Sequence, residues 1–524
     1  MVRRVFRKGN GGASREDNNQ SNQGNQSISG KLVTNLDANI KQIKKLLDEP
    51  NDLVIREFKI GEASITSAIV YIDGLIDKQL VQESILGNLQ DIAASQQLPK
   101  ESTELLNEIY QTFISITTIE QGNTLEDVAN GILSGKTVFI LDGQKTVLLM
   151  DTKGGQTRSI EQSTAETVVR GPKAAFVENL GTNLSLLRKC LQTPDLRFKT
   201  QQVGKRSRRS LVVAYVDGII NPAIVKEVKR RLDTIDIDDA PDSGFIEQWI
   251  EDSFLSPFPQ MNNTERVDKA AAVLLQGKVV ILVDGSPFVL IAPVVLGDIL
   301  KSPEDYYERW LIGSLLRILR YLAAFIALFL PALYISLVTI HPGLLPSDLA
   351  ISIAASREGV PFPPVVEAFL MVFTMELLQE AGIRLPTPIG QTIGIVGGLV
   401  IGDAAVSAGI VSPIMVIVIG LTAIAVFANP SYTIGISFRI VRLGFMLAAS
   451  VLGLFGIILV YIMVNIHLVN LKSFGIPYST PFAPTMMRDW KDLVIRAPMT
   501  MLTRRPKFLD TEDPTSVDKG VKKS

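Results

Sequence analysis

The sequence predicts an α/β soluble N-terminal half made of two duplicated subdomains, followed by an all-α polytopic membrane domain. Three observations predict it. Most charged residues lie before about residue 310, although the 524 residues together are 47% hydrophobic with a formal net charge of −1. One set of motifs in the first half recurs at a nearly constant offset. Pro361–Tyr432 is membrane-length apolar sequence interrupted by carboxylates, prolines and regularly spaced glycines.

The chain opens on a basic stretch, Met1–Lys8, and an Asn/Gln/Gly/Ser tract reaching Gln26. No apolar core of a secretory signal follows it, so 1–31 is expected to be a disordered polar tail. Asn35-Leu-Asp-Ala-Asn39 matches Asn179-Leu-Gly-Thr-Asn183 at an offset of 144. Tyr71-Ile-Asp-Gly-Leu-Ile76 matches Tyr215-Val-Asp-Gly-Ile-Ile220, and Gly135-Lys136 with Asp142-Gly143 match Gly277-Lys278 with Asp284-Gly285. So long a period is no solenoid repeat; it indicates two copies of one subdomain, 32–152 and 176–294, joined by 153–175. Each copy is expected to begin with a helix (Leu32–Leu47; Phe176–Leu191). Each closes on a β-hairpin at its Asp-Gly pair, a turn signal when flanked by apolar runs. Gly131-Ile-Leu-Ser-Gly135-Lys136-Thr137 looks like a phosphate-binding loop, but it is one residue short and runs from helix to strand, the reverse of the required order. The basic run Lys205–Arg209 reads as a solvated loop, with anionic headgroups or a partner as the sharper alternative.

Ser302-Pro303-Glu304-Asp305 suits a helix start, with Ser as cap, Pro at N1 and acids in the first turn. Residues 295–320 are therefore read as a coupling helix, with Tyr306, Tyr307 and Trp310 as an interfacial belt. The membrane domain is placed at 321–470. Tyr321–Ile340 spans roughly 30 Å, enough to cross a hydrocarbon core, and Ile410–Ala428 and Leu443–Val464 are further spans. Val365–Ile383 is charged and Ile389–Gly402 short, so both suit buried or re-entrant helices. Residues 471–524 read as a basic cytoplasmic tail, with both chain ends on one side; Arg439 and Arg442 then fall on the wrong side and are assigned to a pore mouth or a partner.

Charges at membrane depth cost roughly 3 kcal/mol or more each. Glu380 has Arg384 at i+4 and is expected to form a surface ion pair. Glu367 and Glu376 lack a local partner and are candidates for an ion path, together with Asp403 and the apolar Val396 and Val400. Gly390, Gly394, Gly398 and Gly402 make one smooth helix face for close packing, within the chain or around an axis between subunits. No catalytic site, metal site or cofactor is expected. Cys190 is alone, the two histidines lie apart, and no nucleophile–base pair stands out.

These motifs resemble the A subunits of bacterial spore germinant receptors, the GerA-type family. The resemblance rests on Arg170-Gly171-Pro172, Glu178–Arg188, Ser302-Pro-Glu-Asp-Tyr-Tyr-Glu-Arg309 and Pro361-Phe-Pro-Pro364 with Glu367. It continues through Glu376–Pro386, Gly390–Gly398, Val411-Ser-Pro413, Arg496-Ala-Pro498 and Arg505-Pro506. It implies an integral subunit of the spore inner membrane, assembled with a transporter-like B subunit and a lipoprotein C subunit. It also implies a homo-oligomeric, cation-conducting channel of A subunits. Membrane lipid is an expected partner and nucleic acid is not. A secondary transporter, an accessory paralogue of the same pattern and a non-conducting signalling scaffold are the alternatives.

Overall fold

The computed structural model describes residues 30–517, apart from 49, 61–63, 90–100, 115, 155–162, 164, 165, 167 and 385–400. The first half holds two five-stranded antiparallel sheets. Strands β1 (Leu53–Ile60), β2 (Ile65–Ile72), β3 (Ile119–Gly122), β4 (Thr137–Leu141) and β5 (Val147–Met150) lie in the order β1-β2-β4-β5-β3. Strands β6 (Leu196–Val203), β7 (Arg209–Val216), β8 (Asn262–Thr264), β9 (Val279–Val283) and β10 (Val289–Ala292) repeat it as β6-β7-β9-β10-β8.

The repeated motifs have the same structural roles in both sheets. Asn35 caps helix α1 (Leu36–Leu47), and Asn179 caps α2 (Leu180–Cys190), so both helices start later than the apolar pattern suggests. Asn39 clamps the backbone of Val33 through both side-chain atoms (3.0 and 2.7 Å), and Asn183 clamps Val177 likewise (2.8 and 2.6 Å). The Asp142 carboxylate accepts from the N–H of Leu36 (2.9 Å), and Asp284 accepts from that of Leu180 (3.3 Å). The Asp-Gly pairs thus close their hairpins with glycine at φ +87° and +88° while docking the first helix of each copy. The phosphate-loop lookalike is a helix-to-strand turn with Gly135 at φ +87°, and Lys136 pairs with Glu120 at 2.6 Å. The basic run 205–209 zips onto the acidic 236–239: Lys205 pairs with Asp236, Arg206 with Asp238 (3.5 Å) and Arg209 with Asp239 (2.7 Å). A buried ion pair joins the two copies, Arg188 Nε to Asp52 at 3.1 Å.

The expected 295–320 helix is broken. Helix α3 (Glu304–Tyr307) stops at Glu308, whose ψ is 172°, and α4 (Trp310–Thr339) starts anew. The reason is that Arg496 takes the carbonyls of Asp305 and Glu308 (2.6 and 2.8 Å), which an unbroken helix would use itself. Tyr306 and Tyr307 turn their hydroxyls into the protein, donating to Asp492 (2.6 Å) and to Asp268, while Trp310 is exposed.

Helices α5 (Ser347–Ser356), α6 (Pro364–Arg384), α7 (Gly402–Ser407), α8 (Pro413–Phe427) and α9 (Tyr432–Asn470) follow. Among the described residues, two segments are long and apolar enough to cross a membrane, Trp310–Thr339 (30 residues) and Thr433–Leu452 (20 residues). Pro331 lies inside α4 without ending it. Helix α8 has 15 residues and begins on a Ser412 cap with Pro413 at N1, later than the apolar run. The span expected at 443–464 is not one straight helix. At Gly453 the backbone takes φ +61° and ψ −138°, and a Cβ there would lie 2.6 Å from His341 Nε2. The chain folds back at this point. The ring of Phe329 on α4 packs at a tilt against both Phe445 (4.7 Å) and Tyr461 (6.1 Å), and both ends of α9 meet the loop at 256–258.

Residues 471–517 are no trailing tail. Ser473 donates to the Gln260 carbonyl (2.7 Å) and accepts from Val294 N–H (3.0 Å), while Arg505 donates to the Leu275 carbonyl (2.7 Å). The core of the second sheet runs without interruption through Phe258, Val294 and Leu300 into Ala323 and Ala324 of α4.

Candidate functional site

The three expected ion-path carboxylates, Glu367, Glu376 and Asp403, have three different surroundings. Val396, Val400, Gly390, Gly394 and Gly398 lie outside the described residues. Gly402 is buried in α7 against Val416, and Asp403 beside it is exposed. Glu367, on the first turn of α6, is fully buried, yet it does not lack a partner. It accepts from Ser412 N–H (2.6 Å) and hydroxyl (2.5 Å), and Arg357 Nη1 lies 3.3 Å from its other oxygen. Glu376, two and a half turns on, is gripped by Arg439 (3.2 Å) and by Arg442, whose side chain is fully buried.

The carboxylates are tolerated among apolar helices because each meets opposite charge brought from elsewhere in the chain. Arg439 and Arg442, read from the sequence as belonging to a pore mouth or a partner, are these counter-charges. One acid between two arginines leaves local charge positive, the opposite of a bare carboxylate ring. Glu380 is exposed, and the Arg384 side chain expected to pair with it lies outside the described residues.

A second cluster, which sequence reasoning missed, joins the sheets to the helices. Asp305, on α3, is fully buried. Its carboxylate accepts from Arg317 Nε (2.9 Å) and Arg320 Nη1 (2.7 Å), both on the first turns of α4. Arg317 reaches on to Asp492 (2.8 Å), and Arg496 binds the Asp305 carbonyl. Gly313 lets that carbonyl approach, since a Cβ there would sit 2.6 Å from it.

The network extends under the second sheet. Lys278 Nζ meets Asp298 at 2.5 Å, and Lys301 contacts both Asp298 (3.3 Å) and Asp492 (3.6 Å). Burial alone would raise the Asp298 pKa, but Lys278 and Lys301 outweigh it and hold the carboxyl at about 2. Burial, opposed by Lys301 and aided by Asp492, pushes the Tyr306 phenol up to about 12, so it stays a hydrogen-bond donor. Asp298, Lys301, Tyr306 and Asp492 border a cavity of about 590 Å³ between the second sheet and the C-terminal segment.

Chemically this is a joint of fixed charges: Lys278, 298–305, 317–320 and 492–496, four stretches of chain, meet where the sheets give way to the helices. The faint sequence signal was an acid-bearing helix start, Asp305, ahead of two arginines a turn apart on the next helix. Its distant partners, Asp492 and Arg496, left no local pattern.

A family model described as Bacillus/Clostridium GerA spore germination protein matches residues 41–508. Spore germination protein GerLA of Bacillus cereus is 48% identical over 489 residues, which is 93% of this chain and 98% of that protein. Spore germination protein B1 of Bacillus subtilis (strain 168) is 44% identical over 483 residues, 92% of this chain and 99% of its own. The crystal structure of the N-terminal domain of the A subunit of the Bacillus megaterium spore germinant receptor GerK3 is 35% identical in sequence. It covers 51% of this chain and 98% of its own, at a TM-score of 0.41. The family match spans both sheets, the Asp305 joint and the helices that hold Glu367 and Glu376, and the chain therefore belongs to the GerA family of spore germination proteins.

Proposed function

We propose that the chain is the integral A subunit of a nutrient-responsive germinant receptor in the spore inner membrane. It acts without catalysis, with a transporter-like B subunit and a lipoprotein C subunit as partners. The sheets and the C-terminal segment face the cytoplasmic core. Copies of the chain assemble around a cation path lined by part of 365–402 and opening past Asp403, with the glycine face of 390–402 packed between helices. The observation that carries this reading is the buried joint at Asp305. It ties sheets, first apolar helix and C-terminal segment together, so a shift in the soluble half moves α4. In this arrangement Glu367 and Glu376 are locked by arginines, and release of Glu376 from Arg439 and Arg442 presents negative charge to the path.

Spores carrying Arg439→Gln/Arg442→Gln test this. They should lose monovalent cations without nutrient; normal subunit abundance with unchanged, nutrient-dependent release contradicts it. The neutralised state of Glu367 and Glu376 favours one other reading, a non-conducting scaffold that only transmits the signal.

A further inference from the structure

We propose that Phe254 and Leu255 form a lipid-contacting foot, which inserts into the headgroup–acyl boundary beside the α9 hairpin. This rests on the reading that the apolar helices cross a bilayer. The two side chains are 83% and 80% exposed, although they belong to a well-braced loop. Fully buried Gln260 closes that loop like a clasp: its Oε1 accepts from Ser253 N–H (2.8 Å) and its Nε2 donates to the Ser253 carbonyl (2.7 Å). Asp252, just before the loop, is fixed by Arg231 at 2.7 Å. Two large apolar side chains are thus held outward by a rigid frame, where water is an unfavourable neighbour.

Their position names the occupant. Ser256 Oγ is 2.8 Å from His467 Nε2 near the end of α9, and the Pro257 carbonyl accepts from Ser437 Oγ (2.5 Å) near its start. Phe254 is two residues from Ser256, roughly 7 Å of chain. At this level α9 exposes Ile436 (39%), Ile466 (57%) and Val469 (51%), with the small polar Asn465 and Asn470 among them. The foot therefore continues the surface that lipid covers. A rigid apolar tip flush with the ends of crossing helices reaches roughly 5–10 Å into the interface, as interfacial anchors do. It would fix the second sheet against the bilayer while the Asp305 joint holds it to α4.

The test uses the full chain in vesicles of phosphatidylglycerol and phosphatidylcholine. A Cys190→Ser background removes the one native thiol; Phe254→Cys and, separately, Ile466→Cys then receive the environment-sensitive dye NBD. The proposal expects blue-shifted emission at 254, quenched by phospholipid bearing a nitroxide at acyl carbon 5, with 466 quenched as well. Quenching at 466 with none at 254 overturns the foot and leaves the membrane reading standing. Blue-shifted but unquenched emission at 254 assigns these residues to a protein interface and also overturns it. Absence of quenching at both sites overturns the foot together with the membrane reading.

Discussion

Replacing Asp305 by Asn keeps the side chain's size and removes its charge. In the wild type that charge, fully buried, is shared by Arg317 at 2.9 Å and Arg320 at 2.7 Å, while Arg496 binds the backbone of the same residue. The variant leaves Arg320 without its carboxylate and Arg317 with Asp492 alone. Removing one partner of a buried ion pair costs about 3–5 kcal/mol, because the remaining charge stays desolvated. At about 1 °C per kcal/mol for a chain of 524 residues, the melting temperature of the purified full chain should fall by roughly 3–5 °C. Arg320→Gln alone should also destabilise, and the Asp305→Asn/Arg320→Gln double variant should lose less than the sum by roughly 1–3 kcal/mol. Scanning fluorimetry of the four proteins in one detergent reads all of this. An Asp305→Asn stability within about 0.5 kcal/mol of wild type, the size of an ordinary surface substitution, refutes the joint.

Three further outcomes follow from the geometry. Glu376→Gln takes the carboxylate from fully buried Arg442, so the recovery of folded protein should drop severalfold, and wild-type recovery would show that the acid is dispensable to packing. Gly453→Ala sets a Cβ against His341 at a backbone conformation that L-residues avoid; a loss of about 1–3 kcal/mol is expected, and an unchanged melting temperature contradicts the fold-back at that residue. Burial, with Glu251 and Asp242 nearby, raises the Glu247 carboxyl from 4.5 to about 7, so the folded state binds a proton more tightly than the unfolded one. Stability from this group is then full below pH 4.5 and is lost as pH rises through about 7. Urea midpoints at pH 5 and pH 8 should differ less in Glu247→Gln than in wild type, and an identical difference counts against the shift.

The duplicated half was legible because its repeated residues do local, geometry-specific work. Asn35 and Asn179 cap helices, Asn39 and Asn183 clamp the preceding backbone, and the Asp-Gly pairs turn the hairpins; such roles tie residue type to position within a few residues. What stayed illegible depends on contacts distant in sequence. Glu376 meets arginines more than sixty positions away, so no i+4 rule could find them. In the Asp305 joint, Arg496 is 191 positions away and looked like part of a basic tail, while Arg317 and Arg320, only 12 and 15 residues on, looked like flanks of an apolar run. The reversal at Gly453 was invisible for another reason. A glycine in a long apolar stretch is ordinary, and only its backbone angles distinguish a fold-back from a straight span.

Potassium efflux from vesicles reads conduction by the chain itself. Full-length wild type and the unlocked Arg439→Gln/Arg442→Gln variant are reconstituted at equal, verified amounts of folded protein and loaded with potassium against sodium or chloride gradients. Cation-selective efflux through the unlocked variant should exceed that through wild type. If the folded variant holds potassium as tightly as protein-free vesicles, the chain does not conduct, and the scaffold reading takes its place.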